Sequence, residues 1–389
     1  MPLMATETSR RVCTLSRRSF LTALGGLTAA TVFSGSPLAD SLLSRDAAES
    51  MPLFASAFKK ADGNFGIGIV DELGQVLAQI SLPGRGHGVA VSPDATRLAA
   101  FARRPGTFLI ILRPFDQAEP ELLTADTGRH YFGHGCFSKG GRLLYAVEND
   151  FDAARGVVGV YDISGPQTRR IGELDTHGIG PHDILLSHDG RTLIVANGGI
   201  ETHPDKGREK LNLETMSPSV VFLDAANGDL LARHGLDASL HQLSLRHMAL
   251  DANGRAWVGG QFQGALSETP PLVTVFSRDE MPELREMPGA VASRLQNYIG
   301  SVTANAAGDV IATSAPRGGQ TLFWDVANGT FLGTQAIPDG CGVAPIDQGS
   351  FLISDGNGGL SYVSDAEEPA EILARPPGFS WDNHMAAFG

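Results

Sequence analysis

Histidines at equivalent places in a repeated sequence pattern are the residues best suited to chemistry in this chain. They are His87, His134, His182, His247 and His384. Neutral imidazole is the commonest protein ligand for zinc, copper, iron and nickel. No local spacing such as His-x-x-x-His links them, so a metal site requires a fold that brings five distant segments together. The pattern therefore predicts a metal site built by the repeat itself.

The repeat is a short apolar segment that a turn rich in Gly, Asp or Asn connects to a second strand. Its copies are Gly86–Asp94, Gly133–Gly141, Pro181–Gly190, Arg246–Gly254, Gly300–Gly308, Cys341–Pro345 and Asn383–Phe388. The fifth and sixth copies have Ser301 and Gly342 where the others have histidine. Successive anchors lie 41 to 65 residues apart. A period of about 40–50 residues with four short strands is typical of a β-propeller blade.

The repeat predicts an all-β fold, a seven-bladed β-propeller closed by one C-terminal strand and three N-terminal strands. The seventh anchor begins a blade that too few residues follow to complete. Three strands over Phe54–Phe58, Phe65–Asp71 and Gln75–Ile80 can complete it, which removes the exposed sheet edge of an open array. Each anchor is expected at the start of its innermost strand, so that the five histidines meet at one mouth of the central channel.

A polar insertion over 197–216 lengthens blade three and has no alternating pattern of a strand. Long loops in compact domains are often functional. We expect the insertion to cover the mouth, with His203 as a sixth candidate metal ligand. The alternative is a solvated excursion, for which Glu209 and Lys210 are equally suited. In either case the insertion is expected to add little apolar burial.

The repeated histidines also have a structural interpretation. A histidine that enters an inner strand can donate from its ring to a carboxylate or carbonyl and so fix its own blade. Ser301 and Gly342 indicate that a blade forms without the imidazole. Arg246, next to His247, has two interpretations as well: it binds an anionic ligand at the mouth or it pairs with a turn carboxylate.

Composition narrows the class of protein and of partner. The 389 residues include 47 glycines, only 7% aromatic residues and 19% charged residues, which disfavours a helix-rich protein. The net charge of −13 argues against nucleic acid or an anionic membrane surface as partner, because both require clustered positive charge.

An export signal is predicted at the beginning of the chain. Arg17-Arg18 precedes a weakly apolar run over 24–33 that is too short to cross a bilayer comfortably. This order predicts a twin-arginine signal peptide over 1–39 and a single propeller domain over 40–389, located in the periplasm without stable membrane insertion. Cys136 and Cys341 remain in that domain, three blades apart. Because a disulfide requires Cα atoms within about 7 Å, we predict two free, largely buried thiols.

The segments around the anchors resemble a known family. They are Arg85–His87, Gly180–His182, Ala196–Asp205, Arg246–His247 and Trp381–His384. They are similar to twin-arginine-exported bacterial proteins described as domain of unknown function 1513. The resemblance implies a seven-bladed propeller of the quinoprotein amine dehydrogenase type. It also implies gene neighbours that encode imelysin-like and di-haem oxidoreductase-like proteins, and hence a role in iron handling. The five histidines further resemble the propeller of nitrous oxide reductase, whose channel histidines hold copper, although Ser301 and Gly342 replace two of the matching ligands.

Three functions are compatible with these observations. The first is a periplasmic protein that binds an iron or copper ion and supports metal acquisition with imelysin-like or di-haem oxidoreductase-like partners. The second is a propeller oxidoreductase or lyase that uses a channel histidine as acid or base. The third is a scaffold that binds another protein. Ring nitrogens that face one point favour the first, a pocket with one histidine and one carboxylate the second, and histidines bonded within their own blades the third.

Overall fold

Apolar segments become strands here because compact polar turns end them at short intervals. In the turn after Leu186, the Ser187 hydroxyl donates to Asp189 Oδ1 over 2.6 Å, and the same oxygen accepts from the Arg191 amide over 2.9 Å. Gly190 completes the turn at φ +78°, a conformation that favours glycine. The computed structural model describes residues 51–116, 118–207 and 209–388. The predicted signal peptide over 1–39 lies outside them.

The described residues form seven antiparallel sheets of four strands each. Blades are numbered in chain order by their innermost strands, β4 being the first, so that β1 Leu53–Lys60 belongs to blade seven. Blades one to three are β4 Gly86–Val91, β5 Leu98–Ala102, β6 Phe108–Leu112 and β7 Glu121–Thr124; β8 Arg129–Phe137, β9 Leu143–Asp150, β10 Arg155–Asp162 and β11 Arg169–Asp175; and β12 Pro181–Leu186, β13 Thr192–Asn197, β14 Ser219–Asp224 and β15 Leu230–Gly235.

The remaining blades follow the same order from the channel outwards. Blades four to six are β16 Leu243–Leu250, β17 Ala256–Phe262, β18 Val273–Phe276 and β19 Glu283–Arg285; β20 Ser301–Ala304, β21 Val310–Ala315, β22 Gln320–Asp325 and β23 Phe331–Ala336; and β24 Gly340–Pro345, β25 Phe351–Asp355, β26 Leu360–Val363 and β27 Glu371–Ala374. Blade seven combines β28 Phe379–Phe388 with β1 Leu53–Lys60, β2 Phe65–Asp71 and β3 Val76–Leu82.

Blade seven closes the ring as the sequence predicts. Strand β28 pairs with β1 from Leu53 opposite Phe388 to Lys60 opposite Phe379. The Ser56 hydroxyl adds a 2.7 Å hydrogen bond to the carbonyl of His384. Pairing the last strand with the first removes the two free sheet edges that an open array would expose. The prediction of an all-β, seven-bladed propeller is therefore confirmed.

Apolar side chains between neighbouring blades hold the ring together. Trp257 of blade four and Trp324 of blade five are fully buried, with 6.5 Å between their ring centres. Their indole nitrogens donate to Asp251 and Thr313. Helical structure in the described residues is short: α1 Gly289–Ala292 and 3-10 turns at Pro204–Lys206, Leu213–Thr215, Ala238–Leu240 and Pro316–Gly318. No described helix is long and apolar enough to cross a membrane.

The insertion of blade three is anchored more firmly than its polar composition predicts. Ile200 and Thr202 are buried, and the carbonyl of Thr202 accepts from the Asn149 side chain over 3.1 Å. The Asn212 side chain bridges the insertion by bonding the amide of Glu201 and the carbonyl of Gly199. The expectation that this segment adds little burial is therefore wrong for its first six residues. A deletion that tests the loop should begin after Thr202.

Both cysteines of the described residues are free thiols, Cys341 buried and Cys136 half-buried. We expect a chain that begins at residue 40 to show two reactive thiols when it is denatured without reductant, because the two cysteines lie in blades two and six. Titration with a thiol reagent in guanidinium measures this. A Cys136→Ser variant serves as control and should show one thiol. Finding none in the parent chain would indicate a disulfide and contradict the blade positions.

Candidate metal centre

Irregular strand pairing turns the channel histidines away from the sheet. In β8, Tyr131 pairs with Glu148 and Gly135 with Ala146, so three residues ending at His134 lie opposite Val147 alone. In β28, three residues ending at His384 likewise lie opposite Ala57. Bulges of this kind redirect side chains out of the regular pleat.

The pairing is also irregular at His87 and His182 and immediately before His247. His87 and His182 are second in their strands, close to the predicted strand starts. His134, His247 and His384 instead lie inside longer strands, so the predicted position at a strand start is wrong for these three. What the five share is an interruption of the strand pairing.

The bulges bring all five rings together in the channel, where they form what we call the histidine hub: His87, His134, His182, His247 and His384. Ring centres of His87, His134 and His247 each lie 4.5 Å from that of His384, and 4.7 Å separates His182 from His247. Two groups offer nitrogens within 4.8 Å of one another, namely His87, His134 and His384, and His134, His182 and His247. Metal–nitrogen bonds are about 2.0–2.1 Å, so two ligands of one ion lie at most about 4.2 Å apart, and nitrogens spaced up to 4.8 Å would have to approach one another slightly.

A glycine makes the close approach of these rings possible. Gly133 precedes His134 at φ +106°, and a Cβ placed on it would lie 2.6 Å from Cδ2 of His87. No real Cβ tolerates that distance, so a larger residue would push His87 out of position. Gly133 therefore fixes the spacing between blades one and two at the hub.

Carboxylates from neighbouring blades orient two hub rings. His87 Nδ1–H donates to Asp382 Oδ1 over 2.8 Å, and His134 Nδ1 lies 3.4 Å from Asp183 Oδ1. Asp382 belongs to blade seven and Asp183 to blade three, so each carboxylate crosses a blade boundary. A carboxylate on one ring nitrogen fixes the tautomer and raises the basicity of the other, as in many metal sites. This arrangement differs from histidines bonded within their own blades.

Several hub nitrogens are buried without a hydrogen-bond partner among the described residues. They are Nε2 of His134, His182 and His384 and both ring nitrogens of His247. A buried polar atom without a partner costs about 1–3 kcal/mol, and such atoms are uncommon. Because a neutral imidazole has one N–H and one lone pair, these four rings offer up to four lone pairs to a group that accepts them, which is what a metal ion does. The residues present therefore fit a metal site.

The electrostatics of the hub keep its imidazoles neutral, the form that binds metals. Burial lowers the pKa of His87 to about 3, although the hydrogen bond with Asp382 opposes this shift. Burial also lowers the pKa of His134. For His182, His247 and His384, burial and then the neighbouring hub histidines hold the pKa well below 6.5. All five rings thus offer lone pairs at neutral pH.

The predicted sixth ligand lies apart from the hub. His203 Nε2 faces Asp152 Oδ1 at 3.4 Å, its Nδ1 accepts from the Asp205 amide, and its ring packs against Phe151. It therefore caps a turn beside blade two, and neither metal-capable group of the described residues includes it. A different loop residue, Lys210, reaches blade four, where its Nζ donates to Gln263.

A cavity borders the histidine hub, and the cations Arg103 and Arg246 lie near enough to its rings to act on their charge. The cavity, of about 390 Å³, is lined by residues that follow the histidines in their strands, including Cys136, Asp183, Met248 and Met385. Cations precede the histidines instead, with Arg246 directly before His247. Cys341 corresponds to His87 in strand register, a match that the sequence pattern missed, but its thiol donates to the carbonyl of Asp339.

Comparison with known proteins shows the family to which this propeller belongs. The family model described as protein of unknown function (DUF1513) matches residues 80–388. The chain belongs to the DUF1513 family. No curated protein matches this DUF1513 protein significantly. Among solved structures it is similar to Kuenenia stuttgartiensis hydrazine synthase, with 15% identity, a TM-score of 0.59, and 80% of this chain and 95% of that chain covered.

A second similar structure is the β-propeller domain of Myceliophteria thermophila Cps50 (Swd1). It shares 12% identity with the DUF1513 protein at a TM-score of 0.56, and the match covers 77% of this chain and 89% of that domain. At these identities both likenesses show the fold alone. The chemistry of the DUF1513 protein must therefore be inferred from its own residues.

Sequence reasoning missed the two orienting carboxylates. Asp183 directly follows His182 in the chain, yet its carboxylate faces His134 of the previous blade. Asp382 lies two residues before His384 but bonds His87. The only sequence signal is an acid within two residues of an anchor, and nothing in it indicates that the contact crosses to the next blade.

Proposed function

We propose that this DUF1513 protein is a periplasmic protein that binds an iron or copper ion at the histidine hub and supports acquisition of that metal. The observation that carries the proposal is the set of five buried ring nitrogens without partners. A buried imidazole nitrogen without a hydrogen-bond partner is more stable with a bound ion than without one. His203 is left out of the proposed ligand set because it faces Asp152.

The donor set supports a transition metal. Imidazole nitrogen suits zinc, copper, iron and nickel, whereas calcium and magnesium prefer oxygen ligands. When bound, the ion would be held by the two histidine groups that share His134. Asp382 and Asp183 would orient two of the ligands and offset part of the ion's charge. The net charge of −13 favours the approach of cations.

The cellular part of the proposal depends on the amino terminus and on the family. The predicted twin-arginine signal over 1–39 supports export to the periplasm. Imelysin-like and di-haem oxidoreductase-like proteins are the proposed partners in metal acquisition. In this proposal, such partners deliver the metal ion to the histidine hub or remove it from there.

A second candidate is a propeller oxidoreductase or lyase. The observation in its favour is the cavity of about 390 Å³ beside the hub, which both His134 and Asp183 line. A histidine and a carboxylate in one pocket are suited to acid–base chemistry on a small substrate. The low pKa of His134 limits that role, because an imidazole that stays neutral is a poor acid.

Metal content tests the proposal directly. A chain that begins at residue 40 is stripped with chelator, incubated with Fe²⁺ without oxygen or with Cu²⁺, desalted, and measured by mass spectrometry of the metal. We expect about one ion per chain in the parent and at least a tenfold loss in His182→Ala/His247→Ala. The variant should still fold, because these rings have no hydrogen-bonded nitrogen at Nε2 to lose.

The matched control removes two histidines outside the hub. His188 and His234 each bond a backbone carbonyl through Nε2, of Asp251 and Arg278 respectively. His188→Ala/His234→Ala should keep the metal content of the parent. Equal metal in the hub variant and the parent, or none in the parent with either ion, would overturn the proposal.

A further inference from the structure

A series of contacts around Tyr298 connects cations of different blades near the histidine hub. The Arg317 guanidinium lies 4.9 Å from the centre of the Tyr298 ring. The Tyr298 hydroxyl accepts from the Asn383 side chain over 2.6 Å, and the neighbouring Asp382 pairs with Arg103 at 3.2 Å. Blades one, five and seven thus contribute to one surface beside His384.

The insertion of blade three and blade four complete this surface. Lys210 Nζ donates to Gln263 Oε1 over 2.5 Å, and the Gln263 side chain donates to the carbonyl of Gln261 over 3.0 Å. Gln261 in turn forms an isolated backbone bridge with Tyr298. Lys210 is therefore linked to Tyr298 through Gln263 and Gln261, although 87 residues of chain lie between Lys210 and Tyr298.

Arg246 directly precedes the hub residue His247 and has no carboxylate partner among the described residues. Within the described part of the chain its side chain makes one hydrogen bond, a long contact of 3.4 Å from Nε to the Ser244 hydroxyl. Burial lowers its pKa to about 10, with further lowering by Arg104, Arg103 and Arg317. We call Arg103, Arg104, Arg246, Arg317 and Lys210 the cationic rim. The prediction that Arg246 pairs with a turn carboxylate is wrong.

The rim contains positive charge that the protein does not neutralise. The chain as a whole has an excess of 13 acidic groups, yet among the described residues no carboxylate forms an ion pair with Arg246, Arg317 or Lys210, and Arg103 pairs with Asp382. Asp382 is shared with Arg85 and His87 and is therefore already satisfied. Other arginines behave differently: Arg129, Arg155 and Arg170 each contact several carboxylates. The charges of Arg246, Arg317 and Lys210 remain to repel one another.

We propose that the cationic rim is a binding site for a small multivalent oxyanion, such as phosphate or a tricarboxylate, held by Arg246, Arg317 and Lys210 above the histidine hub. Guanidinium groups present forked donors that match the oxygens of such anions. A bound anion removes the repulsion between the three cations. The Arg317 guanidinium packs on the Tyr298 ring, and Arg103 is paired with Asp382.

The anion site adds a function to the rim and does not require a metal at the hub. Arg246 directly precedes His247, so an anion on its guanidinium lies next to the hub. This position suits an anion that enters with a metal ion or completes its coordination. The refinement rests on the proposed metal binding, whereas the anion site itself stands alone.

Binding to the metal-free protein is the test. The chain from residue 40, treated with chelator and desalted, is titrated with sodium phosphate and with sodium citrate by calorimetry, at ionic strength held constant with sodium chloride. We expect saturable binding of at least one of the two anions in the parent and at least a tenfold weaker affinity in Arg246→Gln/Arg317→Gln. Lys210→Gln/Arg317→Gln removes two cations that are both exposed, so this variant should fold like the parent. It should also bind the anion more weakly than the parent.

The control is Arg278→Gln, which removes an exposed arginine paired with Asp279 outside the rim. It should bind both anions like the parent. Absence of saturable binding of either anion, or equal affinity in the rim variants and the parent, would overturn the inference. His182→Ala/His247→Ala separates the two proposals: anion binding that survives in this variant supports the rim, whatever the metal content shows.

Discussion

Asp382→Ala is expected to lower the free energy of unfolding by about 3–5 kcal/mol, the range for removing one partner from a buried ion pair. The Asp382 side chain is 4% exposed and accepts from Arg85, from His87 and, at longer range, from Arg103. Its removal leaves His87 Nδ1 without a partner and adds Arg103 to the uncompensated cations. Chemical denaturation of the parent and the variant at pH 7.5 measures the difference.

The position of Asp382 between two blades adds to the loss of unfolding free energy that we expect in Asp382→Ala. The residue lies in β28, whereas Arg85, His87 and Arg103 belong to blade one, so the contacts fasten the closing blade to its neighbour. Asp279→Ala is the control, since Asp279 pairs with Arg278 at the surface and such pairs contribute under 1 kcal/mol. A change below 1 kcal/mol in Asp382→Ala would contradict the role we give this carboxylate.

The metal-free protein is expected to lose stability steeply as the pH falls below 6.5. Burial lowers the pKa values of all five hub histidines in the folded state, that of His87 to about 3. In the unfolded chain these groups have pKa values near 6.5, so below that pH the unfolded chain binds protons that the folded hub does not bind. The stabilisation is therefore complete above pH 6.5 and declines as the pH falls, by up to about 1.4 kcal/mol per histidine and pH unit.

The four groups whose pKa values lie far below 6.5, His87, His182, His247 and His384, together give a loss of about 5 kcal/mol between pH 6 and pH 5. Typical domains are stable by 5–15 kcal/mol, so the metal-free protein should unfold near pH 5. Urea denaturation at half-unit pH steps measures the slope. His182→Gln/His247→Gln should reduce the slope by about half, since it removes two of these four groups, whereas His188→Gln/His234→Gln should leave it unchanged. A parent slope below about 2 kcal/mol per pH unit would show that the hub takes up protons while folded.

The sequence predicted the fold well because blade geometry depends on local patterns. Alternating apolar segments and polar turns such as Ser187–Gly190 recur at regular intervals, and the leftover strands over 54–80 fit the incomplete last blade. The convergence of the five histidines followed from the symmetry of the ring. These inferences require only the period of the repeat and one anchor in each copy.

The rest of the site depends on contacts between blades, which no period reveals. Asp183 and Asp382 reach histidines of adjacent blades, and the bulges that turn His134 and His384 inwards have no motif of their own. His203 lies in the expected loop, yet a local turn with Asp205 holds its ring away from the hub. Arg317 packs on Tyr298, and Lys210 is connected to the same residue through Gln263 and Gln261, because loops of different blades lie next to one another there.

The order in which the ribosome makes the strands has a consequence for the hub. Strand β28 comes last of the described strands, and it supplies both His384 and the carboxylate that holds His87. A nascent chain that has folded six blades therefore has neither the ring around which three other hub histidines gather nor the bond that orients the first of them. Completion of the histidine hub and closure of the ring therefore depend on the same strand.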